Sequence, residues 1–165
     1  MEEVIFLNKL LTDDDLFESV YKRNVDTVYK VCYIFLKNKS DAEDLTQNTF
    51  IKYLKYNPEF SNLKHEKAWF IVTTSNVCKN HLKSWWKKTT VLSHEIEETY
   101  FDKDNDILEI ILTLPVKYKD LIYMYYYEGY TTKEISEMTN TNESTIRTNL
   151  SKARVLLKEK IGSDL

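Results

Sequence analysis

Glycine and proline are nearly absent from this chain of 165 residues, with two of each. Such scarcity, in a chain rich in charge, points to a helix-rich fold, and no glycine-rich phosphate loop appears. No uncharged apolar run approaches the roughly 20 residues that a membrane-crossing helix needs. Met1 to Leu10 carries Glu2, Glu3 and Lys9 where a signal peptide has an unbroken apolar core, so the expected compartment is the cytoplasm, with no membrane insertion. Cysteine is scarce too. Cys32 and Cys78 are far apart and form no CxxC, and His65, His81 and His94 have no ligand spacing. That pattern implies no metal site, no cofactor and two buried, inert thiols. With no nucleophile motif or phosphate loop, catalytic residues are not expected and the chain does not read as an enzyme.

Charge, by contrast, is abundant: 30% of the residues are charged and the formal net charge is -3. The average hides blocks. From Lys64 to Lys88 the bases Lys64, Lys67, Lys79, Lys83, Lys87 and Lys88 are opposed only by Glu66. Val91 to Ile110 then reverses sign, with Glu95, Glu97, Glu98, Asp102, Asp104, Asp106 and Glu109 against Lys103. Further on, Arg147, Lys152, Arg154, Lys158 and Lys160 are basic again. At a Debye length of about 8 Å each basic surface acts nearly alone, so a chain of net negative charge still has two faces fit for a polyanion.

Residues 89–106 show no sustained helical period and read as an acidic linker between domains at 1–88 and 107–165. The fold class expected is all-α, in two small helical domains joined by that flexible linker. In the first, Thr12 caps a helix whose first turn is Asp13 to Asp15, with Leu16, Val20, Val28, Val31, Cys32 and Phe35 inward and an end near Lys37. Ser40 to Glu43 reads as a capping box. The helix it opens turns Ala42, Leu45, Thr49, Phe50, Tyr53 and Leu54 inward and leaves Asp41, Asp44, Gln47, Asn48, Lys52 and Lys55 outside. Pro58 stops it, and a third helix is expected from about Glu66 to Trp86.

In the second domain Pro115 is expected in the first turn of a helix with Leu121, Ile122, Met124, Tyr125 and Tyr126 inside, ended by Gly129. Thr131 or Thr132 caps a short helix with Ile135 and Met138 inward; Asn140 makes the turn, and Thr141 or Asn142 caps the next helix from Glu143. Ile146, Leu150, Ala153 and Leu157 share one face of it, which leaves Ser144, Thr145, Arg147, Thr148, Asn149, Ser151, Lys152 and Arg154 opposite. A merely solvated face has the same composition. The short helix, tight turn and paired Ile135 and Ile146, however, reproduce a helix-turn-helix, whose second helix enters the major groove.

The stretch LPVKYKDLIYMYYYEGYTTKEISEMTNTNESTIRTNLSKARVLLKEKI resembles the fourth region of bacterial RNA polymerase sigma factors of the sigma-70 family, in the extracytoplasmic-function (ECF) group. DAEDLTQNTFIKYLK resembles that family's second-region helix that docks on the clamp of the beta-prime subunit, and AWFIVTTSNVCKNHLKS the helix that meets the minus-ten element. Together these blocks cover roughly residues 13–88 and 107–160. The resemblance implies polymerase binding by Asp41, Asp44, Gln47, Asn48 and Lys52. It implies minus-ten contacts by Asn76, Lys79, Asn80, Lys83, Lys87 and Lys88, with the loop at 57–65 enclosing an extruded base beside Asn76. Minus-35 contacts fall to Thr145, Arg147, Thr148, Asn149, Lys152 and Arg154. The implied partners are core RNA polymerase (beta-prime clamp and beta flap), promoter DNA and an anti-sigma factor, with the chain a monomer.

Asn149 departs from the arginine common at its position, and Ser136, Asn140 and Ser144 stand where relatives often have alanine or glycine. Trp85 and Trp86 suit either stacking on unpaired bases or packing, whereas Trp69, Tyr123, Tyr125, Tyr126 and Tyr127 read as core. Two rivals stand beside the sigma-factor reading: a stand-alone dimeric helix-turn-helix regulator, and an adaptor whose basic helix is only solvated.

Overall fold

The computed structural model describes Met1 and residues 14–88 and 106–163, and among these every regular element is helical. The expected cap at Thr12 and residues 89–105 of the expected linker lie outside the described residues. The chain divides into two compact units, residues 1–81 and 82–165, so the division falls inside the third helix.

The first unit is built on α1 (Asp14–Leu36), α2 (Lys39–Tyr56) and α3 (Leu63–Lys88). Helix α1 ends where Lys37 turns left-handed (φ 55°) and its N–H closes on the Tyr33 carbonyl at 2.8 Å. That turn delivers Asn38 to the N-cap of α2, where its side chain accepts from the Asp41 N–H at 2.9 Å. The capping box expected at Ser40 does not form. Asparagine caps as well as serine, and the left-handed Lys37 reaches the cap position first, so Ser40 becomes helical. Asn57 (φ 46°) ends α2 before Pro58. Helix α3 also starts earlier than expected, because the Asn62 side chain accepts from the His65 N–H at 2.8 Å.

The inward faces are largely those expected. Val20, Val28, Val31, Cys32, Phe35, Ala42, Leu45, Thr49, Phe50 and Tyr53 are buried, and both thiols are free and buried. Leu16 is a correction, at 55% exposed: α1 packs against α2 from Phe17 onward, through Phe17 on Tyr53 and Tyr21 on Phe50. Phe70 centres the core, with ring centroids 5.1 Å from Phe50, 5.4 Å from Tyr53 and 5.1 Å from Trp69.

The second unit holds α4 (Asp106–Leu112), α5 (Val116–Ile122), α6 (Thr132–Thr139) and α7 (Glu143–Ser163). Pro115 is the N-cap of α5 rather than its first helical residue: its ψ of 143° is extended, and its carbonyl accepts the Tyr118 N–H at 3.0 Å. Helix α5 runs on into a π-helical turn, Tyr123–Tyr127. The wider turn advances the side-chain register by a residue, so Tyr127 stacks on Tyr123 at 4.9 Å and Tyr126, expected inside, is 43% exposed. Gly129 (φ 77°) then reverses the chain. Leu108, Ile111, Ile122, Met124, Ile135, Ile146, Leu150 and Ala153 form the core. Lys119 is buried with them, and its ammonium donates to the Leu112 carbonyl at 3.1 Å, which serves an otherwise unpaired end of α4.

Candidate nucleic-acid interface

In the second unit the corner between α6 and α7 is fixed by side chains. Thr131 and Glu134 make a reciprocal capping box: the Thr131 hydroxyl accepts from the Glu134 N–H at 3.1 Å, and the Glu134 carboxylate from the Thr131 N–H at 2.8 Å. Asn140 is left-handed (φ 50°, ψ 43°), as its place in the turn demands. The Ser136 hydroxyl donates to the Thr141 carbonyl at 2.6 Å and ties the turn together. The Asn142 carbonyl then takes the first bond of α7, from the Ile146 N–H at 3.1 Å.

Helix α7 buries Ile146, Leu150 and Ala153 and half-buries Leu157, which turns the expected polar face outward. Ser144, Thr145, Arg147, Thr148, Ser151, Lys152 and Arg154 are exposed, and Asn149 is half-buried. Two of the bases are already engaged. Arg147 donates to Glu143 at 2.7 Å, and the same carboxylate oxygen accepts from the Thr132 hydroxyl at 2.8 Å. Arg154 donates to the Tyr126 hydroxyl at 2.6 Å and lies 5.6 Å and 5.8 Å from the Tyr125 and Tyr126 ring centres. Those tyrosine bonds hold the Arg154 guanidinium more basic than usual. Lys152 is exposed as well, farther around the helix from both arginines.

Along α3, Asn76, Asn80 and Lys83 are exposed and recur at i, i+4 and i+7 on one stripe of the helix. Lys79 is half-buried, its ammonium 6.0 Å from the Phe35 ring centre. Lys87 and Lys88 continue the helix, but their side chains lie outside the described residues, as does that of Trp86; Trp85 is half-buried. The loop at 57–65 is anchored by Phe60, whose ring meets Tyr53 (6.4 Å), Trp69 (6.0 Å) and His65 (5.5 Å). Asn76 stands about 10 Å farther along α3 than Trp69, at about 1.5 Å of rise per residue, so Asn76 and the loop anchor are separated along the helix rather than in contact.

Glu66 does not lie on the basic surface that its sequence position suggests. It is buried, accepting from Arg23 at 3.1 and 3.0 Å and from Asn24 at 2.6 Å. Burial raises its pKa, yet the Arg23 and Asn24 bonds and the Arg23 charge outweigh that and hold the carboxyl below the usual range. The acid counted against the basic stretch is thus spent on α1, and the outer face of α3 is more positive than a count suggests.

On α2, Asp44, Gln47 and Asn48 are exposed and Asp41 and Lys52 half-buried, so the expected polymerase-binding group lies on the outer side of the helix. Sequence reasoning missed Ile51, which is 50% exposed on the same side. Its signal was available: it falls at i+4 from Gln47 and i+7 from Asp44, in phase with the polar residues. Among the described residues no set of three or more His, Cys, Asp and Glu could hold a metal ion, and no helix is long and apolar enough to cross a membrane.

Comparison with known proteins matches both units to one family. The Sigma-70 region 2 model covers residues 20–88, and the model of Sigma-70, region 4 covers residues 104–157. RNA polymerase sigma factor SigV of Bacillus subtilis is 28% identical over 137 residues, covering 79% of this chain and 81% of that protein. The ECF RNA polymerase sigma factor SigW of the same organism is 23% identical over 169 residues, covering 90% of each. In fold the chain is similar to the sigma factor RpoE of Bartonella quintana, solved in complex with the anti-sigma factor NepR, with a TM-score of 0.70 at 19% identity over 93% of this chain and 100% of that one. An outward polar helix after a locked turn occurs in many regulators, but here it follows a matched region 2 in the same chain: the protein belongs to the sigma-70 family, in the ECF group, and is a sigma factor that directs RNA polymerase to promoters.

Proposed function

We propose that the two units divide promoter recognition, α7 reading the minus-35 element and α3 the minus-ten element, while the outer side of α2 docks on the beta-prime clamp and the second unit rests on the beta flap. One observation carries this reading: α7 buries Ile146, Leu150 and Ala153 and leaves Thr145, Arg147, Thr148 and Lys152 outward, the first exposed apolar side chain on that face being Val155, beyond Lys152. A helix so lined fits a major groove. Arg147 suits a guanine edge, Asn149 an adenine edge, and Lys152 a phosphate. On α3, Asn76 supplies the paired donor and acceptor that reading an extruded base requires, and Asn80 and Lys83 extend its stripe along the strand. Lys79, Lys87 and Lys88 add positive charge near phosphates.

The protein acts as a monomer in the cytoplasm, with domains at 1–88 and 106–165, the second starting with α4 at Asp106, one residue before the expected boundary. It supplies binding energy for DNA opening and no covalent chemistry. An anti-sigma factor is a further partner, as one is for the Bartonella protein of the same fold. The test is transcription by core polymerase with Arg147→Ala combined with Lys152→Ala. Promoter-specific initiation should fall at least tenfold while binding to core polymerase is kept; unchanged initiation would leave α7 a solvated face.

A further inference from the structure

Resting on the reading of α7 as the minus-35 helix, we infer that Glu143 is a positioning residue for base selection, aiming Arg147 from an anchor on the preceding helix. Glu143 lies in the first turn of α7, and its Oε1 accepts from Thr132 at 2.8 Å and from Arg147 at 2.7 Å. Thr132 opens α6, whose first turn is held by the Thr131–Glu134 capping box independently of α7. The carboxylate that engages the guanidinium is therefore also held from outside its own helix.

This distinguishes it from an ordinary i, i+4 pair on a solvated helix, where both side chains exchange rotamers freely and the pair contributes little. An arginine that must present two parallel N–H groups to guanine O6 and N7 loses less freedom on binding when a third N–H is already held. The guanidinium has five N–H donors, so the bond to Glu143 leaves enough for a bidentate base contact. The Arg147 side chain is also 69% exposed, within reach of a groove. The bonds from Thr132 and then Arg147 hold the Glu143 carboxyl below its usual range, so it carries its charge at neutral pH.

The test uses the full chain with core polymerase on a promoter whose minus-35 base pairs are replaced one at a time. The first arm compares wild type with Arg147→Ala and identifies the base pair whose discrimination Arg147 supplies. Glu143→Ala should then lower discrimination at that same base pair about tenfold, within the range of one bidentate contact, with the other positions unchanged. Thr132→Val should act in the same direction and more weakly. Glu143→Gln keeps the side-chain shape should the alanine variant unfold, and it should also reduce discrimination there. An unchanged or raised preference, the latter meaning that Glu143 masks Arg147, would overturn the inference, as would an even loss at every position, which marks a purely structural role. A wild-type chain indifferent to every minus-35 base pair would overturn the reading of α7 itself, and the inference with it.

Discussion

Glu66 shows how one side chain can serve the fold and the proposed interface together. Its carboxylate joins α3 to α1 through Arg23 and Asn24, and it removes a negative charge from the face that carries Asn76, Asn80 and Lys83. Asn24 is buried and also donates to the Val20 carbonyl, so deleting the carboxylate leaves a buried amide half-satisfied. Glu66→Ala should therefore cost about 2 kcal/mol, the low end for a pair whose arginine is partly solvated. On a unit of this size that lowers the melting temperature of the first transition by roughly 10 °C. The pH dependence has a definite sign. The folded carboxyl is held below its unfolded value, so its contribution is full above the unfolded pKa, about 4.3, and is lost as pH falls through the folded value. Acid titration of the melting temperature should show this loss in the native protein and not in Glu66→Gln; identical acid profiles would contradict it.

At the scale of the elements, the turn between α6 and α7 sets the pose of α7, the proposed reading helix. Asn140 holds φ 50°, a conformation costing most L-residues about 1–2 kcal/mol. Asn140→Val should destabilise the second unit by about that much, and Asn140→Gly should be near neutral, as read by thermal unfolding; equal melting temperatures for the two variants would contradict the account. This turn was legible in the sequence, as were the buried stripes of α1, α2 and α7, because apolar spacing and a turn residue are local signals. The caps were less so. Asn38, Ser40 and Asn62 compete in short polar stretches with similar cap energies, and only the geometry of the preceding turn decides among them. The π-helical turn has no local signature in a run of tyrosines, so Tyr126 was assigned inward when it stands outside beneath Arg154. The Arg23–Glu66 and Tyr126–Arg154 bonds span 43 and 28 residues and belong to tertiary structure, which periodicity cannot reach.

Across the whole molecule the central question is how weak readers become selective. A good bidentate base contact is worth about 1–3 kcal/mol, phosphate contacts add a salt-sensitive term, and the chain has a net charge of -3. Under the proposed division of promoter recognition, local basic faces let each unit approach DNA, and each unit by itself offers too few contacts to select a promoter. In that proposal each unit, carried on one polymerase, raises the effective concentration of the other at its element. The most direct measurement is promoter binding by the purified chain, by core polymerase and by the two together, on one fragment at physiological salt. Together they should give an asymmetric footprint over both elements at concentrations where the chain by itself protects nothing; a symmetric footprint from the chain alone, or equal affinity with and without polymerase, would contradict the account.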